Sequence, residues 1–230
     1  MSRPFPFALL ALAAALALAA CGSDGPSGEA APAPSASSPS VEPCELLTPE
    51  AVAGALGVPA AEVALDEEAT ARMDGGAMGH GCRYAIASEG YDAATLTLRE
   101  YDSAEAAAGY FASAYRTKTE QELGEIEAAG DRAAEQLEAD GQDLGGVDAG
   151  AMLSGLAGKF SFEPIAGAGD EASVEINRIL DPAVATTAHV RQGARIYSVE
   201  VAPSRMALSD EDVARAREDH AAIARAVAGS

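Results

Sequence analysis

The sequence contains no tryptophan, and aromatic residues make up only 5% of its 230 positions. A core built from it relies on aliphatic side chains and alanine, because the rings that bury the most area per residue are scarce. Basic side chains are also few: 15 Lys and Arg stand against 36 Asp and Glu, for a formal charge of −21. This balance excludes a nucleic-acid partner held through phosphates, since each contact would add repulsion in place of counterion release. Anionic lipid headgroups are disfavoured by the same sign. After Ala20 no run approaches the roughly 18 consecutive apolar residues of a membrane-spanning helix. Only three histidines and three cysteines are present, which leaves little material for acid–base or metal chemistry.

What is present begins with an export address. After Arg3 the chain runs from Phe7 to Ala20 without a polar residue and ends in small side chains, the pattern of a cleaved signal peptide over residues 1–20. Leu18-Ala19-Ala20-Cys21-Gly22 resembles a bacterial lipobox. The resemblance implies a diacylglycerol thioether on Cys21, cleavage just before it, and acylation (palmitate or a similar chain) of the new amino terminus. The competing reading is an ordinary secretory signal followed by a chance cysteine. Two or three acyl chains on one residue anchor a protein stably, where one chain binds only marginally. Residues 22–43 consist of Ala, Pro, Ser and Gly apart from Asp24, Glu29, Val41 and Glu42. Such a composition cannot offset its ordering entropy, so residues 21–43 read as a lipidated cysteine and a disordered tether. As a flexible coil it spans about 25 Å.

With Cys21 assigned to lipid, Cys44 and Cys82 remain as a pair. Outside the cytoplasm an even remainder reads as a disulfide, with a thiolate metal site or a nucleophilic cysteine as the competing readings.

Residues 44–230 suit one core. Thr48-Pro49-Glu50 supplies an N-cap, a proline at the first helical position and an early acid; Leu47 and Val52 are spaced as a staple, and Gly57 stops the helix, which predicts Pro49–Leu56. Cys82–Ile86 and Ala94–Tyr101 read as strands flanking a turn at Glu89-Gly90, with Leu96 and Leu98 on one face and Thr95, Thr97 and Arg99 on the other. Asp102 with Glu105 has capping-box spacing before a helix bearing Ala107 and Phe111. The order recurs: strands at Ala172–Ile176, Ala185–Val190 and Ala194–Val201, a turn at Gln192-Gly193, then a helix capped by Ser209 and Asp212 with its stripe at Val213, Ala216, Ile223 and Val227. The expected architecture is therefore α+β: a single domain with an antiparallel sheet packed by helices, in two hairpin-plus-helix pseudo-repeats. Between them lies an acidic helical insertion at about 119–162. Leu123, Ile126, Ala133 and Leu137 keep helical spacing there, Gly124, Gly130 and Gly141 predict a broken helix, and Val147–Ala157 predicts a second short one.

Pro43-Cys44-Glu45-Leu46-Leu47-Thr48, Gly81-Cys82-Arg83-Tyr84 and Gly167-Ala-Gly-Asp-Glu-Ala172 together resemble a group of exported bacterial lipoproteins that carry a domain of unknown function. The resemblance implies that Cys44 and Cys82 pair, and it brings no activity with it. The last motif also meets G-x-G-x-x-A, but a strand follows it where a dinucleotide site needs a helix, so it reads as a turn entering a strand.

No G-x-S-x-G, S-x-x-K or H-E-x-x-H occurs. Met73, Met78 and His80 place two thioethers and an imidazole in one glycine-rich stretch, a donor set suited to copper(I). The blander reading is a loop beside a disulfide. His189 falls in a strand without a visible partner, and His220 lies on the stripe of the last helix, where a hydrogen-bonded core histidine is expected. These features predict a non-enzymatic binding or envelope-organising module without a cofactor. It is exported and lipid-anchored through Cys21, at the outer face of the cytoplasmic membrane or at an outer membrane where the host has one. Its partners are that membrane and an envelope protein. The alternatives are a small-ligand or copper carrier, and then a hydrolase, which would need a nucleophile and a histidine base within hydrogen-bond reach.

Overall fold

The computed structural model describes residues 42–74, 80–142, 146–179, 184–204 and 209–229. The signal segment, Cys21, the tether up to Val41 and Met78 lie outside these residues. The described chain divides into a sheet-bearing unit, residues 42–117 with 160–229, and a helical unit, residues 118–159.

In the sheet-bearing unit the first helices form where the local chemistry places them. Pro43 opens a one-turn helix α1 (Pro43–Leu46) and is buried, so ordered chain reaches back into the last residue assigned to the tether. Thr48 then caps α2 (Pro49–Leu56) by accepting a hydrogen bond from the Ala51 amide, and Gly57, at φ 66°, ends it in the left-handed region. Leu47 and Val52 are both fully buried, as a staple requires.

Seven strands follow in one antiparallel sheet: β1 (Val63–Leu65), β2 (His80–Ile86), β3 (Tyr91–Glu100), β4 (Phe160–Pro164), β5 (Glu171–Asn177), β6 (Val184–Gln192) and β7 (Arg195–Pro203). Their order across the sheet is β1-β2-β3-β7-β6-β5-β4. The two hairpins β2–β3 and β6–β7 meet at its centre, where β3 pairs with β7. One face carries Leu96, Leu98, Tyr197, Val199 and Val190 into the main core, closed by α2 and by the last helix, α7 (Asp210–Ala228). Tyr84 is enclosed there and donates its hydroxyl to the Leu47 carbonyl. Cys44 and Cys82 are joined by a disulfide with a Cα–Cα separation of 5.5 Å, which ties α1 to β2.

Helix α4 (Ala104–Ala114) lies on the other face, where Ala107 and Phe111 pack against Ile196 of β7. The order of elements thus recurs after each hairpin, but the placement does not: α7 packs on its own hairpin, whereas α4 packs on β6 and β7 of the other one. Its cap is Ser103 and not Asp102, because the Ser103 side chain accepts from the Ala106 amide at 3.1 Å. Ser209 and Asp212 do form the expected reciprocal capping box on α7.

Besides α1, the elements that were not expected include β1, α3 (Glu67–Asp74) and β4. The last shortens the predicted insertion of 119–162, since residues 160–162 pair with β5 as an edge strand that ends at Pro164. In the helical unit, α5 (Glu120–Ala139) is continuous where Gly124 and Gly130 predict a break. Gly130 is needed for contact: a Cβ there would stand 2.8 Å from the Cα of Gly150 in the second helix, α6 (Ala149–Ala157). The two helices approach through their glycines, and that approach outweighs the helix propensity lost at Gly130.

Candidate functional site

On the α4 face of the sheet, cross-strand register assembles a polar cluster around His189. The β6–β7 turn is Gly193-Ala194, so Gln192 pairs with Arg195 and His189 with Ser198. His189 Nδ1 lies 2.9 Å from Ser198 Oγ, and Nε2 lies 4.0 Å from Glu175 Oε2. The Tyr115 ring stacks on the imidazole, with centroids 3.8 Å apart and planes 13° from parallel. Glu175 receives a further hydrogen bond from the Thr186 hydroxyl at 2.6 Å.

Ser198 and His189 meet the distance that a hydrolase reading requires. Their electrostatics point elsewhere, because burial, assisted by the neighbouring His220, pushes the His189 pKa down to about 3. An imidazole so reluctant to take a proton is poorly matched to general-base work near neutral pH. The ring is uncharged there, so its contact with Glu175 is not an ion pair. The cluster fits a neutral hydrogen-bonded brace between β6, β7 and the segment after α4.

His220 is a core histidine, 1% exposed. Its Nδ1 lies 2.6 Å from the Ala216 carbonyl, while Nε2 lies 3.1 Å from the Thr186 carbonyl and accepts from the Val201 amide at 3.3 Å. Burial lowers its pKa as well. It joins α7 to the bulge at Thr186 in β6 and to β7.

Of the three sequence-predicted copper donors, Met73 and His80 can be placed, and they stand on different sides of the sheet. His80 pairs with Leu98, so it belongs to the core face of β2, and alternation sends Gly81 to the opposite face. Met73 covers that opposite face: its terminal methyl stands 2.6 Å from where a Gly81 Cβ would be. Met78 lies outside the described residues. Among the described residues no group of three His, Cys, Asp or Glu side chains is gathered around one point, and no helix is long and apolar enough to cross a membrane. Gly167 and Gly169, at φ 75° and φ 61°, lie in the turn between β4 and β5, and Glu171 and Ala172 open β5.

A concavity of about 580 Å³ lies between α2, α7 and the β4–β5 hairpin. Its rim is charged: Arg217 Nη2 lies 3.3 Å from Glu163 Oε1, and Arg225 donates to the Ala166 carbonyl at 3.3 Å. Asp219 accepts from the Tyr91 hydroxyl at 2.7 Å, and burial raises its pKa. A carrier for an apolar ligand needs an apolar enclosure, and this open, ion-paired rim suits a polar contact instead. The sequence reading passed over Arg217, Ala221 and Arg225, although their four-residue spacing sets them along one helix face, and over the strand that brings Glu163 to them. The chain matches no family profile, no curated protein and no solved structure.

Proposed function

We propose that this protein is a non-enzymatic binding module of the cell envelope, anchored by lipid on Cys21 and held off the membrane by residues 22–43. The observation that carries the reading is the position of the disulfide. Cys44 follows the tether immediately and is bonded to Cys82 in β2. A bond of this kind persists where the surroundings are oxidising, in keeping with export. It also fastens α1 to the sheet at the point where an anchored tether would pull.

The binding component rests on the lipobox, the tether and the electrostatics of the His189 cluster, which favour a brace over a reactive pair. The test is fractionation of the Cys21→Ala variant beside the unmodified chain. Release of the variant from membranes, together with loss of the lipid mass from the mature protein, supports the anchor. Tight membrane association that survives the substitution refutes it.

A further inference from the structure

The concavity beside α7 is formed within the sheet-bearing unit alone, by α7, the β4–β5 hairpin and Ala55 of α2. Along α7, Arg217, Ala221 and Arg225 recur every four residues and so form one row, with Glu218 and Ala222 in the next. The two alanines keep the hollow open, since a long side chain at either position would fill the space between the guanidiniums. Ile165 and Val174 add aliphatic surface to the lining.

Most of the charge here is already matched. Arg217 Nη2 faces Glu163 Oε1 at 3.3 Å, and Asp219 accepts from the Tyr91 hydroxyl. Two groups of opposite sign are left. Arg225 donates its Nε to the Ala166 carbonyl at 3.3 Å, while the fork of its two outer nitrogens has no partner among the described residues. The bond from Nε orients the guanidinium plane, and a fork so held is suited to take a carboxylate with two hydrogen bonds. Glu218 is exposed and makes no hydrogen bond or ion pair among the described residues, so its carboxylate can receive an ammonium group.

The charge of the whole chain, −21, narrows the choice of ligand. A net anion would be repelled at long range, and a pure cation would leave the Arg225 fork empty and meet Arg217 as well. A zwitterion has neither drawback. Length follows from the helix: Glu218 and Arg225 are seven residues apart, about 10 Å along the axis. A free amino acid is too short to reach both, whereas three extended residues at about 3.3–3.6 Å each span that distance. The volume of about 580 Å³ falls within the ordinary range of small-ligand sites, and the shallow alanine floor favours small side chains.

We infer that this concavity binds a short zwitterionic peptide of small residues, with its amino end on Glu218 and its carboxylate on Arg225. This rests on the binding-module reading and names a ligand class for it. The probe is trialanine, titrated into the isotope-labelled full chain at physiological salt and followed by amide NMR. The expected result is saturable shifts that include the amides of Ala166, Ala221 and Ala222. Arg225→Gln and Glu218→Gln should each weaken binding by about fivefold or more. Arg215→Gln, which alters an exposed arginine of the same helix paired with Glu211, should leave it within about twofold. All three positions are exposed, and unchanged resonances elsewhere verify the fold. Blocking the probe pairs each end with its residue: N-acetyl-trialanine should be insensitive to Glu218→Gln, and trialanine amide to Arg225→Gln. Absence of saturation up to about 10 mM overturns the proposal, as does undiminished binding by Arg225→Gln or equal binding of the doubly blocked peptide. Free alanine binding as tightly as trialanine overturns the length, and inorganic phosphate bound at Arg225 in place of trialanine would assign the fork to a simple anion and overturns the ligand class. Failure of the anchor appears only in the fractionation of Cys21→Ala and leaves this titration unaffected.

Discussion

Acid should weaken this fold well above the range in which most carboxylates titrate, because two buried histidines must stay neutral for it to form. An unfolded histidine titrates near pH 6.5. In the folded chain burial holds His189 at about 3 and lowers His220. Folded values below the unfolded value mean that the unfolded chain binds more protons once the pH falls under about 6.5, so stability is intact above that point and lost below it. Each histidine that stays neutral costs about 1.4 kcal/mol per pH unit in this window, or about 2 kcal/mol between about pH 6.5 and pH 5. His189 contributes that amount and His220 adds to it in the same sense, a large share of the stability of an ordinary domain. Glu175 and Glu200 lie near these rings and attract any proton that arrives, but burial outweighs them. Asp219 acts in the opposite sense, since its raised pKa returns some stability on acidification. With no tryptophan to report unfolding, circular dichroism during urea titration is the assay, repeated from about pH 7.5 to about pH 5. Subtracting the curve of His189→Gln isolates one ring, and the difference should slope by about 1.4 kcal/mol per unit below about pH 6. A flat difference, or an imidazole resonance of His189 that titrates near pH 6.5, would refute the reasoning.

Two further outcomes follow from the covalent and the close contacts. The Cys44–Cys82 bond closes a loop of sequence separation 38, for which chain entropy assigns about 4 kcal/mol. Cys44→Ser, Cys82→Ser and the double variant should therefore lose nearly the same stability in urea, and additive losses would argue against a shared bond. Gly150→Val places a side chain against the Glu127 carbonyl, which a Gly150 Cβ would already approach to 2.5 Å. The strain expected of overpacking, about 1–3 kcal/mol, should part α5 from α6 and speed tryptic cleavage at Arg132. Unchanged cleavage would show that the close approach is not needed.

Where structure is decided within a few residues, it was legible. Thr48, Pro49 and Gly57 mark both ends of α2, and Ser209 with Asp212 marks the start of α7, because caps act on the amides beside them. Distant partners hide the rest. Helix α3 has a local start signal that the sequence reading passed over, Asp66 accepting from the Ala69 amide at 3.0 Å, whereas the burial of its Ala69 and Thr70 depends on the rest of the fold. Gly130 reads as a breaker until Gly150 is brought against it. The His189–Ser198 contact was one turn residue away from being read: a turn at Gln192-Gly193 sets His189 opposite Ile196, whereas the observed Gly193-Ala194 turn sets it opposite Ser198. A two-residue hairpin fixes all later pairs, so a slip of one residue at the turn moves every pairing by two. The same alternation separates Met73 from His80, which linear spacing had placed together.

The proposed anchor and the observed bond are consistent with one another in position. If the chain is anchored as proposed, a domain tethered by residues 22–43 would explore a shell about 25 Å deep over the membrane, and a partner in that shell would be met at an effective concentration in the millimolar range. Modest affinity for such a partner would then be sufficient. The disulfide belongs to the same arrangement. Under the proposed anchoring, force on the tether would arrive at Pro43 and pass through the Cys44–Cys82 bond into β2, which pairs with β3 beside the centre of the sheet. Without that bond, the load would fall on one turn of helix and on the hydrogen bond from Tyr84 to Leu47.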